Sequence, residues 1–274
     1  MAKEEDREAA YEAADEALSA GDYEDVRRLV EKWTRERPPD PEACALVGLS
    51  YFHEGDYPAA RPLLETALAA RPGDHEARGA LGACAFFDLE LDVAGRELKR
   101  VVDSEPEWAA GHYWLARLYD WRARQEPELA RRAARHFERA ARLDPEGFPA
   151  PLSLSEAEFD EVLQSAVADL PPRIAAALEE VTVAVDAYPD ERLLEGADDL
   201  WGPDLLGLYT GTALPDRHHL DSGRLPDVIH VFKRNLEILC ADREELVREI
   251  RDTLFHEVGH YLGLDEDDLE ELGL

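Results

Sequence analysis

The feature that most restricts how this chain can fold is a period of 34 residues through its first half. Gly21-Asp-Tyr23 recurs as Gly55-Asp-Tyr57, and the same phase predicts closing prolines at Pro38, Pro72 and Pro106, where all three stand. A fixed period of this length signals stacked supersecondary units, none of which buries its apolar face alone. Four units follow, 7–40, 41–74, 75–108 and 109–147; the first is the most degenerate, and the last carries five extra residues around Trp121-Gln125. Small residues at Gly48, Gly82, Ala60 and Ala94 let paired helices approach, while larger apolar residues fill the seams between units.

In unit 41–74, Val47-Gly48, Tyr51, Gly55, Tyr57, Ala60, Leu64, Ala67 and Pro72 fall where a tetratricopeptide repeat has its signature residues. Unit 75–108 keeps Leu81-Gly82, Ala94, Leu98 and Pro106, and unit 109–147 keeps Leu115-Ala116, Tyr119, Ala133, Phe137, Ala140 and Pro145. The region resembles a tetratricopeptide-repeat array, which implies an all-α superhelix whose concave face receives a protein or peptide. A rigid spacer is the plainer alternative. Trp114, Tyr119, Trp121, Arg122, Arg124, Arg131, Arg132 and Arg135 in the last unit suggest either a local groove for acidic peptides or packing and solvation at the end of the stack.

Three prolines and a glycine in Asp144-Pro-Glu-Gly-Phe-Pro-Ala-Pro-Leu152 stop the helical pattern, which marks 148–152 as a linker and 153–274 as a second domain. Ser155-Glu-Ala-Glu158 reads as a capping box opening a helix to about 169, and Pro171-Pro172 open another ending near 180. Val181–Ala187, Leu206–Thr210 and Val228–Lys233 read as strands. The expected fold is therefore α+β overall: the repeat superhelix, then a small α+β domain with a three- or four-stranded sheet against a C-terminal helix.

That last helix holds the chemistry. Asp242-Arg-Glu-Glu245 supplies an N-cap and Gly263 a stop, which predicts a helix over about 243–262. Val247, Ile250, Leu254, Val258 and Tyr261 form its apolar stripe, with His256 and His260 nearly opposite. His256-Glu257-x-x-His260 places two imidazoles one helical turn apart, aimed at one point, with a carboxylate about 100° round the axis from the first. Zinc (Zn2+) is the metal this pattern suits, Glu257 being the general base rather than a ligand. A solvated histidine pair is the plainer reading.

Leu152-Ser-Leu-Ser-Glu-Ala-Glu-Phe159, Leu206-Gly-Leu-Tyr-Thr-Gly-Thr212, Leu225-Pro-Asp-Val-Ile-His-Val231 and Thr253–Glu266 together resemble the small bacterial zincin-like metallopeptidases called minimal zincins. The resemblance implies peptide-bond hydrolysis, with His256 and His260 as ligands, Glu257 as general base and a third ligand among the acidic residues after Gly263. Glu266 stands where metzincins carry their third histidine; Met1 is the single methionine, so the metzincin Met-turn is missing. Economy of chain leaves Asp265, Glu266, Asp267, Asp268, Glu270 and Glu271 as downstream candidates, of which Glu266 is preferred, and His218, His219 or His230 as alternatives from the preceding loop and strand. Tyr209 and His230 are candidate oxyanion or accessory residues, and equally natural sheet-surface residues. Against the peptidase stands the alternative of a non-catalytic interaction protein with a structural or inactive zincin-like domain.

The formal net charge is −32, which argues against nucleic acid as a partner. Residues 151–274 hold 9 basic and 30 acidic side chains, a field that steers basic polypeptides or cations toward the site or serves solubility. The opening Met1-Ala-Lys-Glu-Glu-Asp has no signal-peptide pattern and no apolar run suits a membrane span, so a cytoplasmic location is expected. Cys44, Cys84 and Cys240 read as buried thiols in a reducing compartment.

Overall fold

A computed structural model describes residues 2–194, 202–216, 226–265 and 268–269. The chain divides into two units, Met1–Pro149 and Ala150–Leu274.

The first unit consists of helices α1 (Ala2–Ala20), α2 (Tyr23–Thr34), α3 (Pro41–His53), α4 (Tyr57–Ala70), α5 (His75–Phe87), α6 (Leu91–Ser104), α7 (Ala109–Arg122) and α8 (Ala130–Leu143). Local geometry repeats with the sequence period. Asp40 and Asp74 cap α3 and α5 through the backbone N–H groups of Ala43 and Ala77. A Cβ on Gly48 would stand 2.9 Å from Leu64 Cδ2, and one on Gly82 would stand 2.7 Å from Leu98 Cγ, so each helix pair closes over a glycine. The ion pair Arg27–Glu54 returns one period on as Arg61–Asp88.

The turns inside the first three helix pairs need a left-handed residue, found at Gly21 (φ 82°), Gly55 (φ 82°) and Leu89 (φ 57°). In each, the following N–H reaches back across the turn, from Asp22 to Ala17 O, Asp56 to Tyr51 O and Glu90 to Ala85 O. Leucine therefore adopts at Leu89 a conformation that its Cβ disfavours, held by the same turn.

At the far end of the unit, His112 and His136 meet Nδ1 to Nδ1 at 2.8 Å, and His112 Nε2–H donates to Pro106 O at 3.0 Å. His112 Nδ1 is then the acceptor and His136 Nδ1–H the donor. Burial, reinforced by His112, pushes the His136 pKa down to about 4. The arginines of this region are dispersed: Arg122 pairs with Glu126, Arg124 lies over Trp121, and Arg131, Arg132 and Arg135 are exposed on α8.

The second unit runs α9 (Glu156–Ala168), α10 (Pro172–Leu178), β1 (Thr182–Asp186), α11 (Glu191–Leu194), β2 (Gly207–Thr210), β3 (Val228–Phe232), α12 (Lys233–Leu239) and α13 (Arg243–Leu262). Among the described residues the sheet has three strands in the order β1-β3-β2, with β1 parallel and β2 antiparallel to β3. Ile229 and Val231 face the core, where Phe159, Val162 and Ala166 of α9 meet Leu246, Ile250, Leu254 and Val258 of α13. Helix α12 was not anticipated from the sequence. It follows β3 without a break and is secured by Asn235 Nδ2, which donates to Pro203 O and Leu205 O at 2.7 Å each. Cys44, Cys84 and Cys240 are buried and unbridged.

Candidate metal centre

Helix α13 begins where Asp242 accepts from Glu245 N–H at 2.9 Å and ends on Gly263 at φ 91°. Its buried side carries Leu246, Ile250, Leu254, Val258 and Tyr261, with Val247 only half-buried. The C-terminal turn is a Schellman motif, with Gly263 N–H donating to His260 O and Leu264 N–H to Gly259 O, each at 3.0 Å. That turn brings Leu264 O to 3.2 Å from His260 Nδ1. A carbonyl there makes Nδ1 the protonated nitrogen and turns the Nε2 lone pair outward.

His260 Nε2 lies 3.0 Å from His256 Nε2, with the two rings nearly perpendicular at 83°. Two imidazole nitrogens converging on one point fit a shared cation, and the negative end of the helix dipole favours positive charge there. The donor set therefore suits a metal as far as two ligands go. No group of three candidate ligands occurs among the described residues. Glu266, His218 and His219 lie outside them.

Asp265 and Asp268 exchange backbone-to-carboxylate hydrogen bonds of 3.0 and 3.3 Å, and Leu269 is fully buried. A Cβ on Gly259 would lie 2.5 Å from Leu269 Cδ2, so that leucine packs directly on the glycine of the motif helix.

Glu257 is 7% exposed and faces β2, where its Oε2 accepts from the Tyr209 backbone N–H at 2.6 Å. This contact requires the strand to lie almost against the helix. A Cβ on Gly207 would fall 2.5 Å from Thr253 Cγ2 and 3.1 Å from Glu257 Cγ, which explains the glycine at the head of β2. Gly207 is thus a positioning residue, which sets how closely β2 approaches α13. A glycine opening a strand is the signal that marks it.

Tyr209 thus contributes its amide, while its hydroxyl donates to Asp227 Oδ1 at 2.8 Å and its ring meets Tyr261 edge-on. His230 alternates with the core residues Ile229 and Val231 and so takes the other face of the sheet, with Nδ1 3.0 Å from Asp186 Oδ2 and Nε2 3.4 Å from Thr210 Oγ1. The structure brings His256, His260, Glu257 and the Tyr209 amide together, and sets the His230 side chain apart from them.

Residues 178–274 match the family model of the zincin-like metallopeptidases, and residues 11–75 and 51–118 match two tetratricopeptide-repeat models. The chain joins tetratricopeptide repeats to a zincin-like domain. No curated protein matched it. Similar solved structures include MamA AMB-1 (22% identity over 51% of this chain and 73% of that one, TM-score 0.41) and a MamA fragment from Desulfovibrio magneticus RS-1 (26%, 52% and 77%, TM-score 0.41). Among the described residues, no helix of this tetratricopeptide–zincin chain is long and apolar enough to cross a membrane.

Proposed function

We propose that this protein is a zinc-dependent peptidase whose repeat unit recruits the polypeptide to be cut. The observation that carries the reading is the α13 cluster: two Nε2 atoms 3.0 Å apart, one with its tautomer set by Leu264 O, beside a buried carboxylate oriented by a strand amide. In this reading His256, His260 and Glu266 hold the metal, with His218, His219 or His230 as the alternative third ligand.

When bound, zinc supplies an electrophile that acidifies water and polarises the scissile carbonyl. Glu257 accepts the proton of the attacking water and returns it to the leaving amine; the Tyr209 amide holds the carboxylate in place for both transfers. The repeats 7–40, 41–74, 75–108 and 109–147, the linker 148–152 and the domain 153–274 divide the work into capture, connection and hydrolysis. The concave face of the repeats receives the substrate, and neither nucleic acid nor membrane takes part. A cytoplasmic location accords with this assignment.

A second reading, an interaction protein with an inactive zincin-like domain, is favoured by one feature: the histidines are already within hydrogen-bond distance of each other and Glu257 of an amide, so the helix is satisfied without metal. Metal content of purified wild type, His256→Ala and Glu266→Ala, measured by mass spectrometry, separates the two. Near-stoichiometric zinc in the wild type, lost in both variants, supports the peptidase. A wild type that stays zinc-free after incubation with the metal overturns it.

A further inference from the structure

The inner side of the repeat unit contains a cavity of about 950 Å³ that runs from α1 past α3, α5 and α7 to the segment after α8. Its apolar wall includes Phe52, Trp108, Trp114 and Phe148, with Trp114 braced edge-on by Phe52 at 5.8 Å and by Phe87 at 5.7 Å. Aromatic surfaces fixed in this way supply contact area at little entropic cost.

The charges along the cavity are of one sign. Asp15, Glu76 and Asp144 line it, and no Lys or Arg does so among the described residues. Its histidine, His53, has its pKa lowered by burial and adds no positive charge at neutral pH. None of the three acids forms an ion pair with a described Lys or Arg, although the same unit has many such pairs outside the cavity, including Arg27–Glu54 and Arg61–Glu90. Asp15 also borders an adjoining cavity of about 550 Å³ with Glu8, Glu12 and Glu42, where Arg7 already pairs with Asp40 and Glu36. The negative lining therefore continues along the inner face.

We propose that this groove binds an extended polypeptide segment in which Arg or Lys alternates with large apolar residues. Aromatic walls take the apolar side chains, and the carboxylates without a Lys or Arg partner, of which Asp144 also accepts from Gly147 N–H, take the cations. A second copy of this chain is a poor occupant, since the whole molecule carries −32 and residues 151–274 offer only 9 basic side chains against 30 acidic. The proposal refines the recruitment role above and rests on that role, but not on hydrolysis.

The test is fluorescence anisotropy with full-length protein and two labelled decapeptides, one alternating Arg with Leu and Trp, the other with Glu replacing every Arg. Glu257→Gln protein is used in parallel so that cleavage does not consume the probe. The double variant Asp15→Lys/Glu76→Lys reverses two exposed groove charges on helix surfaces. Glu128→Lys/Glu138→Lys makes the same net charge change at exposed positions outside both cavities. We expect the Arg peptide to bind, the Glu peptide to bind at least about tenfold more weakly, and the groove variant alone to lose about tenfold in affinity. Preference for the Glu peptide, equal loss in both variants, or no loss in the groove variant overturns the proposal. Binding of the Arg peptide by a wild type that neither holds zinc nor cleaves would remove the peptidase reading and leave the groove standing.

Discussion

The two units are held together over different ranges of sequence. In the repeat unit, Arg27–Glu54 spans 27 residues, Arg61–Glu90 spans 29 and Arg7–Asp40 spans 33, all close to one period. In the zincin-like unit, the hydrogen bond from the Tyr209 N–H to Glu257 spans 48 residues, and Leu154 N–H reaches Glu237 across 83. A stack of repeats solves the same contact problem several times between neighbours. The candidate site is assembled once, from distant segments, and its parts have no second copy to fall back on.

The largest effect expected from that contrast is at Glu257. Glu257→Gln should lower peptide hydrolysis by about 10³-fold while zinc content stays at the wild-type level, read from kcat and metal analysis on one preparation. Unchanged hydrolysis would remove Glu257 from the chemistry.

Next is Gly207→Ala, whose Cβ must displace Thr253 or Glu257. It should destabilise the second unit by about 1–3 kcal/mol, seen as faster hydrogen exchange in α13 and β3 with protection of α1–α8 unchanged. Equal loosening of both units would show that they unfold as one.

Acid should act on the repeats through His136. Its pKa is about 4 folded against 6.5 ordinarily, so the unfolded chain binds the proton first. The stability it supports is complete above about pH 6.5 and declines as pH falls toward 4, by on the order of 2 kcal/mol after allowing for partial exposure. His136→Gln should flatten the dependence of repeat-unit stability on pH in this window, measured by urea melts followed in α7 and α8. A curve identical to the wild type would refute the assignment.

The smallest effect belongs to Leu89→Gly, which removes a disfavoured backbone conformation and should raise repeat-unit stability by up to about 1 kcal/mol. A loss of stability would mean that the leucine side chain outweighs the strain.

Sequence alone revealed most where the governing contacts are local. Helix α13 was legible from Asp242 and Gly263, and β1 and β3 from their β-branched runs. Helix α12 was missed because Lys233–Leu239 follows a strand with no punctuating Gly or Pro, its Asn235 anchored by two carbonyls about 30 residues upstream. The left-handed turn at Leu89 was hidden because leucine does not advertise that geometry. In the site, the His256/His260 pair was legible from spacing. The role of the Tyr209 amide was not, because a backbone donor 48 residues away leaves no side-chain signature.

The meeting of Gly207 with Thr253 and of the Tyr209 amide with Glu257 also ties chemistry to strand register. Successive residues of a strand face opposite sides, so a slip of β2 by one position would offer Leu208 to the space that accepts only Gly207 and carry the Tyr209 amide away from the carboxylate. A mispaired sheet and a Glu257 carboxylate without its strand amide would then arise in a single event. Under the proposed peptidase function, molecules that fold with the wrong pairing would be silent as catalysts rather than poorly controlled ones, a useful property for an enzyme that cuts polypeptides in the presence of its own nascent chains.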